Sequence, residues 1–514
     1  MSVHGTSGRR AGRREWLALG VLALPTMVLS MDLTVLHLAV PRLSADLAPS
    51  GAQLLWILDI YGFMVAGFLL LMGALGDRVG RRRLLMIGAC CFAVVSVLAA
   101  FAPTAETLII ARALLGVAGA TLMPSTLAVL TELFQVPAQR TFAVAVWMTA
   151  FIAGEAIGPL VGGVVLEFFW WGAVFLIGVP VMALLVLAGP VVLPETTERL
   201  AGRVDLTSAA MLLGAVLPLV FGIKSLAMEG FGGQTVVWVV SGVLLGVLFV
   251  RRQLRLDDPL MDPRLLRRPA FRAGLGTQIL AVAAMAGSQL LVLQYVQTVL
   301  GLTPLQAGLA TLPSVVLGIG ANLLAPTVTR HVNAAHAIAA ALCVAAVGAG
   351  ILAAVTPLES LVWTMTGFTV LYIGVTPTLA LLTDLIVSSA PSKRAGMASG
   401  VAESGAEFGL AAGMAFIGTA AMATYASRLV DMAPPGIDHA DLRDAAETVG
   451  NGLAIAAGLP HETGGPLLEA ISSAFTSGLQ VAAIVSAVVL IVAAALTLRF
   501  PRASPTTTEP TGLR

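Results

Sequence analysis

Apolar runs of about 20 residues alternate with short polar connections along nearly the whole chain, a pattern that predicts membrane-spanning helices. Such a helix crosses about 30 Å of hydrocarbon at about 1.5 Å per residue. Fourteen runs are long enough, with cores beginning at Trp16, Leu54, Leu84, Leu108, Thr141, Phe169, Leu206, Gln234, Phe271, Leu305, Ala334, Ser360, Gly396 and Ile471. The longest connection, from Ser427 to Glu469, carries seven carboxylates, including Asp431, Asp438, Asp441, Asp444 and Glu447, against Arg428 and Arg443. It reads as an external loop, either a solvated cap or a negative vestibule, with one short amphipathic helix expected over Ala440 to Gly458. The tail after Arg502, with its Pro and Thr residues, is expected to be disordered.

Composition agrees. Of 514 residues, 58% are hydrophobic and 11% charged, with mean hydropathy +0.93, too apolar for a soluble globular protein. Cys90, Cys91 and Cys343 lie inside apolar runs and imply no disulfide framework. The six histidines show no metal-ligand spacing, and no nucleotide-binding loop, catalytic triad or haem motif is present. ATP hydrolysis is therefore not the expected energy source, and neither an enzyme nor a nucleic-acid partner is expected. Arg9, Arg10, Arg13 and Arg14 precede the first run as in a signal peptide, but that run is span-length and lacks a small-residue cleavage site, so it reads as a retained span.

The net charge of +1 conceals an asymmetry. With both termini cytoplasmic, 24 of the 29 Lys and Arg residues fall on the cytoplasmic side, among them Arg78, Arg81, Arg82 and Arg83 in one short connection, and Arg251 to Arg272 in another. Arginine-rich short loops stay inside, which favours an even number of spans. Thirteen would place Lys393 and Arg394 outside. A repeat is also visible: Thr131, Glu132, Leu133, Pro137 and Arg140 after span four parallel Thr383, Asp384, Leu385, Pro391 and Arg394 after span twelve. An offset of eight spans makes two six-span halves separated by two extra spans. The expected division is a six-helix bundle over 1–197, a two-span insert over 198–258 and a second six-helix bundle over 259–514.

Four motifs point to a family. The loop holds Gly73, Asp77, Arg78, Gly80, Arg81 and Arg82 in the spacing G-x3-D-R-x-G-R-R, which resembles the signature loop of the major facilitator superfamily. Span one ends in Asp32, Leu33, Thr34 and Val35, similar to the D-x-T-V signature of drug:proton antiporters. Leu108, Arg112, Gly116 and Gly119 resemble the pattern that the family associates with proton coupling. Gly154, Gly158, Pro159, Gly162 and Gly163 resemble the antiporter motif of span five, with Ala145 where the family pattern has one further glycine. The resemblance covers nearly the whole chain, and the six-two-six plan is similar to that of the fourteen-span drug:proton antiporters. It implies an all-α polytopic fold in a bacterial inner membrane, working as a monomer in lipid. It further implies export of lipophilic organic cations driven by the proton gradient, with no cofactor. The alternatives are a narrow exporter of one antibiotic or other metabolite, and a non-transporting membrane receptor on the same fold.

Intramembrane charge supplies the candidate chemistry. A carboxylate at mid-membrane costs about 2.5 to 3.5 kcal/mol even on the lenient insertion scale, so it persists with a partner or a function. Proton and cation compete for such a group. Asp32 and Arg112 are expected to pair, either as a coupling site or as a fixed structural pair. Asp59 in WILDIYGF lies near the outer end of span two. Glu155 sits inside the span-five motif, as a cation or proton site or as a locally hydrogen-bonded side chain. Glu403 and Glu407 form an i,i+4 pair on one face of span thirteen, either for cation and proton exchange or as a shared-proton structural pair. Asp77 is expected to pair with a cytoplasmic arginine such as Arg140 to latch an inner gate, with Glu132 and Asp384 completing matching latches in the two halves. Trp147, Phe151, Tyr295, Phe408 and Met414 are the aromatic and thioether candidates for a cation-lining wall, against ordinary packing.

Overall fold

The computed structural model describes residues 10–49, 51–194, 205–229, 232–256, 259, 263–355, 359–391, 394–435, 437–447 and 449–499, and among them regular structure is entirely helical. The tail after Arg502, Arg9 and Lys393 lie outside the described residues, as do the side chains of Asp59 and Pro159. In order come α1 (Arg13–Leu47), α2 (Gly51–Val79), α3 (Arg81–Ala100), α4 (Ala105–Leu133), α5 (Pro137–Phe168), α6 (Ala173–Leu176), α7 (Gly178–Val192), α8 (Leu206–Glu229) and α9 (Gly233–Gln253). There follow α10 (Pro269–Thr298), α11 (Pro304–Val328), α12 (Ala334–Val355), α13 (Leu361–Ser388), α14 (Ala395–Ala412), a π-helical turn over Gly413–Ile417, and α15 (Gly418–Met432). The short helices α16 (His439–Glu447) and α17 (Val449–Gly458) lead to the long α18 (His461–Leu498).

Twelve helical stretches among the described residues are long and apolar enough to cross a membrane. The runs starting at Leu206 and Gly396 fall short of that measure. Thr207–Leu219 of α8 counts only as a shorter apolar helix. The stretch from Gly396 is rich in Gly, carries Glu403 and Glu407, and is interrupted by the π turn. The single helix expected over Ala440 to Gly458 is instead two. A polar first half, HADLRDAAE, ends where the Tyr425 hydroxyl donates to the Ala445 carbonyl at 2.9 Å, and a glycine-containing second half starts afresh.

Two apolar cores organise the chain. One unites α1 to α7 around Leu22, Leu36, Phe92, Leu115 and Trp147; the other unites α10 to α18 around Tyr295, Phe368, Tyr425 and Phe475. A third seam, with Leu70, Leu71, Leu212, Phe249, Met397 and Ala398, joins α2 to α8, α9 and α14. Helices α8 and α9 pack on each other, and α8 also meets α2 and the π turn. Their near ends are clasped by Arg252, which donates to Asp205 at 2.7 Å. That hydrogen bond, with those from Ser208, holds the Asp205 carboxyl down at about 2. Only 17% of the α9 span is buried, and Val236, Val237, Val240 and Val243 face outward, as on a lipid-facing helix.

Small residues bring helices to near backbone contact. A side chain at Gly154, Gly158 or Gly162 would run into Met27, Thr34 or Val35 of α1, so the span-five motif is the surface on which α5 lies against α1. Gly163 faces open space and takes no part in that contact. Gly405, Gly409 and Gly413 do the same for α14 against α10, at Leu275, Ile279 and Ala283. Gly80, between α2 and α3, has φ +111°, a conformation open to glycine, which accounts for its place in the loop motif.

Candidate functional site

Arg112 on α4 is fully buried at 1% exposure, and each of its three guanidinium nitrogens donates a hydrogen bond. One Nη donates to the Asp32 carboxylate on α1; Nε donates to the Ile57 carbonyl at 3.0 Å and the other Nη to the Leu58 carbonyl at 3.3 Å, both on α2. The Tyr61 ring lies 4.8 Å from its central carbon. A buried arginine cannot shed its charge, so this enclosure by one carboxylate, two carbonyls and an aromatic face fixes three helices of one half together. The glycines that follow give it room: a side chain at Gly116 would meet the Tyr61 backbone, and one at Gly119 would press on Leu29 and the Tyr61 hydroxyl.

A cavity of about 600 Å³ lies between α1, α5, α10, α11 and α13, at the junction of the two halves. Its walls are mostly apolar, with Ile152, Leu160, Leu293, Leu309, Leu312, Val315 and Phe368, and its polar points are Thr34, Glu155, Gln289, Thr303, Thr311 and Tyr372. Glu155 is the one ionisable carboxylate among the described lining residues. It sits about 22 Å along α5 from Arg140, one residue from the glycine face that packs on α1, and so turns toward the cavity. The size and apolar character suit a drug-sized organic molecule, for which cavities of roughly 300 to 1,000 Å³ are usual. Asp32 does not line this cavity; it borders a separate small void with Phe92, Val174, Phe175 and Ile177. Glu403 and Glu407 are absent from the cavity wall as well, although Glu407 lies close enough to act electrostatically on Glu155, Glu403 and Tyr61.

The arginine-rich end beneath the cavity is shut by polar contacts between the halves. The Asp77 carboxylate accepts from the backbone N–H of Gly396 at 2.9 Å and of Met397 at 2.8 Å, capping the start of α14 while it also holds Arg81 at 3.1 Å. A carboxylate at a helix N-terminus meets free amide donors and the positive end of the helix dipole. The expected Asp77–Arg140 pair is therefore not formed. Arg140 instead donates to Asp384 at 2.7 Å, where Thr141 adds a second hydrogen bond at 2.8 Å. Glu132 takes Arg81 at 3.2 Å within its own half, because Arg81 at the start of α3 reaches back over the end of α4. Arg78 donates to the Pro259 carbonyl at 3.3 Å and Arg82 to the Leu193 carbonyl at 3.1 Å. Buried Asn322 of α11 adds a further contact between the halves, donating to the Ala145 carbonyl at 2.9 Å and to Thr149 at 3.0 Å on α5.

The aromatic wall differs from the sequence expectation. Trp147 is fully buried and donates to Thr126 at 3.1 Å; Tyr295 is packed in the core of its own half. None of Trp147, Phe151, Tyr295, Phe408 and Met414 lines the cavity, which draws on Phe368 and Tyr372 of α13. Gln289 is one of several glutamines along α10, with Gln278, Gln294 and Gln297, so nothing in the sequence singles it out as a lining residue.

Residues 22–414 match the family model described as Major Facilitator Superfamily. The chain is 40% identical over 495 residues to the multidrug efflux pump LfrA of Mycolicibacterium smegmatis, covering 96% of this chain and 98% of that protein. It is 34% identical over 469 residues to the methyl viologen resistance protein SmvA of Salmonella typhimurium, covering 90% and 93%. Among solved structures, the human organic anion transporter MFSD10 is similar with TM-score 0.59 and 16% identity over 94% of this chain and 99% of that one, a likeness of fold alone. By its family match, its relatives and its helical architecture, the chain is a multi-pass membrane transporter, not an enzyme, and belongs to the Major Facilitator Superfamily.

Proposed function

We propose that the chain exports lipophilic organic cations in exchange for protons, by alternating access across a bacterial inner membrane. The observation that carries this reading is the apolar cavity between the halves, with Glu155 as its one described carboxylate. The relatives named for multidrug efflux and methyl viologen resistance support the substrate class. With both termini cytoplasmic, the shut arginine-rich end is the inner gate and the conformation is outward-facing. The span count is fourteen in a six-two-six plan, with α8 and α9 as the insert, and the packing of that pair on α2 beside two separate cores supports it. The transporter works as a monomer and needs no cofactor, because the proton gradient supplies the energy. Exchanging a monovalent cation for one proton is electroneutral, which leaves about 1.4 kcal/mol per pH unit as the driving force.

Asp32, sealed from the cavity and paired with Arg112, then serves as the proton-responsive element, while Glu155 meets the substrate. Asp59 at the outer end of α2, Glu403 and Glu407 complete the proposed set of coupling carboxylates. Asp77, Arg78, Arg81, Arg82, Arg140 and Asp384 form the gate, with Gly73 and Gly80 in its loop and Gly154, Gly158, Pro159, Gly162 and Gly163 along α5. The test is equilibrium binding of ethidium to the purified transporter. Glu155→Gln is expected to weaken it by about tenfold or more, the loss of one partly desolvated charge contact. Unchanged affinity would remove Glu155 from the substrate site.

A further inference from the structure

We infer that the junction between α9 and α10 is a binding site for the phosphodiester headgroups of anionic phospholipids, held by Arg251, Arg255, Arg267 and Arg272. The site needs only a bilayer around the chain, not the proposed cargo or coupling. Three segments converge there on one apolar seam. Phe249 near the end of α9, Leu265 in a 3-10 turn over Pro263–Arg267, and Phe271 at the start of α10 are all buried, in one cluster with Leu212 of α8. Each of these anchors has an exposed arginine close by: Arg251 two residues after Phe249, Arg267 two after Leu265, and Arg272 next to Phe271. Arg255, also exposed, follows just past the end of α9. The buried anchors therefore pin the backbone that carries these guanidinium groups.

Other arginines at this end spend their donors inside the protein. Arg81 holds Asp77 and Glu132, and Arg78 and Arg82 donate to carbonyl oxygens. At the junction itself Arg252 is taken by Asp205, and Arg268 donates to the Ser389 carbonyl. Among the described residues Arg251, Arg255, Arg267 and Arg272 have no carboxylate partner, and the first turn of α10 holds no acid. Over 251–272 the sequence carries seven arginines and three aspartates, a net of +4 with every aspartate ionised. Topology alone asks only that such arginines stay on one side of the bilayer. The surface beside them identifies what they meet there. Val243, Val247 and Val250 of α9 are exposed on its lipid-facing side and Leu254 follows them, so Arg251 and Arg255 stand where the apolar strip ends, at headgroup depth. A guanidinium offers paired N–H donors that match phosphate oxygens. The strip accommodates acyl chains, which a free phosphate lacks, and the positive field disfavours a headgroup that carries its own cation.

The experiment is native mass spectrometry of the purified full chain in detergent, titrated with phosphatidylglycerol or with phosphatidylcholine and read as lipid bound per transporter. The wild type is expected to prefer phosphatidylglycerol by about tenfold or more, since each arginine near a charged lipid surface strengthens binding by about fivefold. Changing Arg251, Arg255, Arg267 and Arg272 together to Gln is expected to weaken phosphatidylglycerol by about tenfold or more, to the level of phosphatidylcholine. The pair Arg267→Gln and Arg272→Gln is expected to lose part of that preference, and decides the matter should the fourfold variant fail to fold. Arg10→Gln with Arg13→Gln, two exposed arginines at the same end of the molecule, is expected to stay within about twofold. Unchanged phosphatidylglycerol binding in the junction variants, or no preference in the wild type, would overturn the site. An equal loss in the Arg10 and Arg13 variant would overturn it as well, because attraction to the whole basic end would then suffice. Displacement of the lipid by glycerol phosphate would mark a site for free phosphate and overturn the lipid assignment.

Discussion

Replacing Arg112 with alanine is expected to abolish cation export and to destabilise the folded transporter, the largest effect of any single change in the membrane interior. The side chain is held by Asp32 and by the carbonyls of Ile57 and Leu58, so its removal strands a buried carboxylate and opens the joint between α1, α2 and α4. Breaking a buried ion pair by removing one partner costs about 3 to 5 kcal/mol, a large share of a net stability of about 5 to 15 kcal/mol. Thermal unfolding in detergent checks the structural part, and dye efflux from energised cells the functional part. Adding Asp32→Asn to the Arg112 variant removes the stranded charge and is expected to recover part of the lost stability without recovering transport. Recovery of transport would show that the pair is a structural clamp and takes no part in coupling.

The second large effect is expected at the arginine-rich end, the proposed inner gate. Asp77→Asn removes the charge from both hydrogen bonds that cap α14, and Asp384→Asn removes the ion pair to Arg140. Hydrogen bonds to charged groups contribute about 1.5 to 3 kcal/mol each, so each change is expected to shift the balance of conformations by roughly tenfold or more toward opening of the arginine-rich end. Spin labels at Arg83 and Ser388, on opposite halves at that end, report the opening as a longer distance. Cys90, Cys91 and Cys343 are exposed and must be replaced first. Because the two contacts close one gate, the double variant is expected to be open in most molecules. An unchanged distance distribution in the double variant would mean that the helix packing alone keeps this end shut.

The sequence displayed some of these features and hid others for physical reasons. The apolar runs identify spans because lipid demands length and hydropathy, which are local properties. Arg112 and Asp32 were legible as partners because isolated opposite charges in hydrocarbon have few alternatives. The partner of Asp77 was hidden: it is a pair of backbone amides at the start of a helix some 319 residues away, and backbone donors carry no residue signature. Arg140 was thereby free to take Asp384, across the two halves. The cavity wall was hidden as well. Whether Trp147 or Tyr372 faces the substrate depends on the rotation of each helix against its neighbours, and a span apolar on all sides does not encode that rotation. The glycine stripes of α5 and α14 were visible as motifs, while their partners, α1 for the α5 stripe and α10 for Gly405, Gly409 and Gly413, with Gly396 and Gly400 turned to α2, emerged from packing.

In the proposed cycle, cation movement is linked to proton movement in the opposite direction. The direct measurement is ethidium accumulation in liposomes containing only the purified wild-type protein, with a pH step imposed and the membrane potential clamped to zero. The predicted result is uptake against its gradient into the more acidic lumen, accompanied by alkalinisation of that lumen and reversed when the step is reversed. Ethidium that only equilibrates, with a lumenal pH indifferent to it, would contradict the exchange.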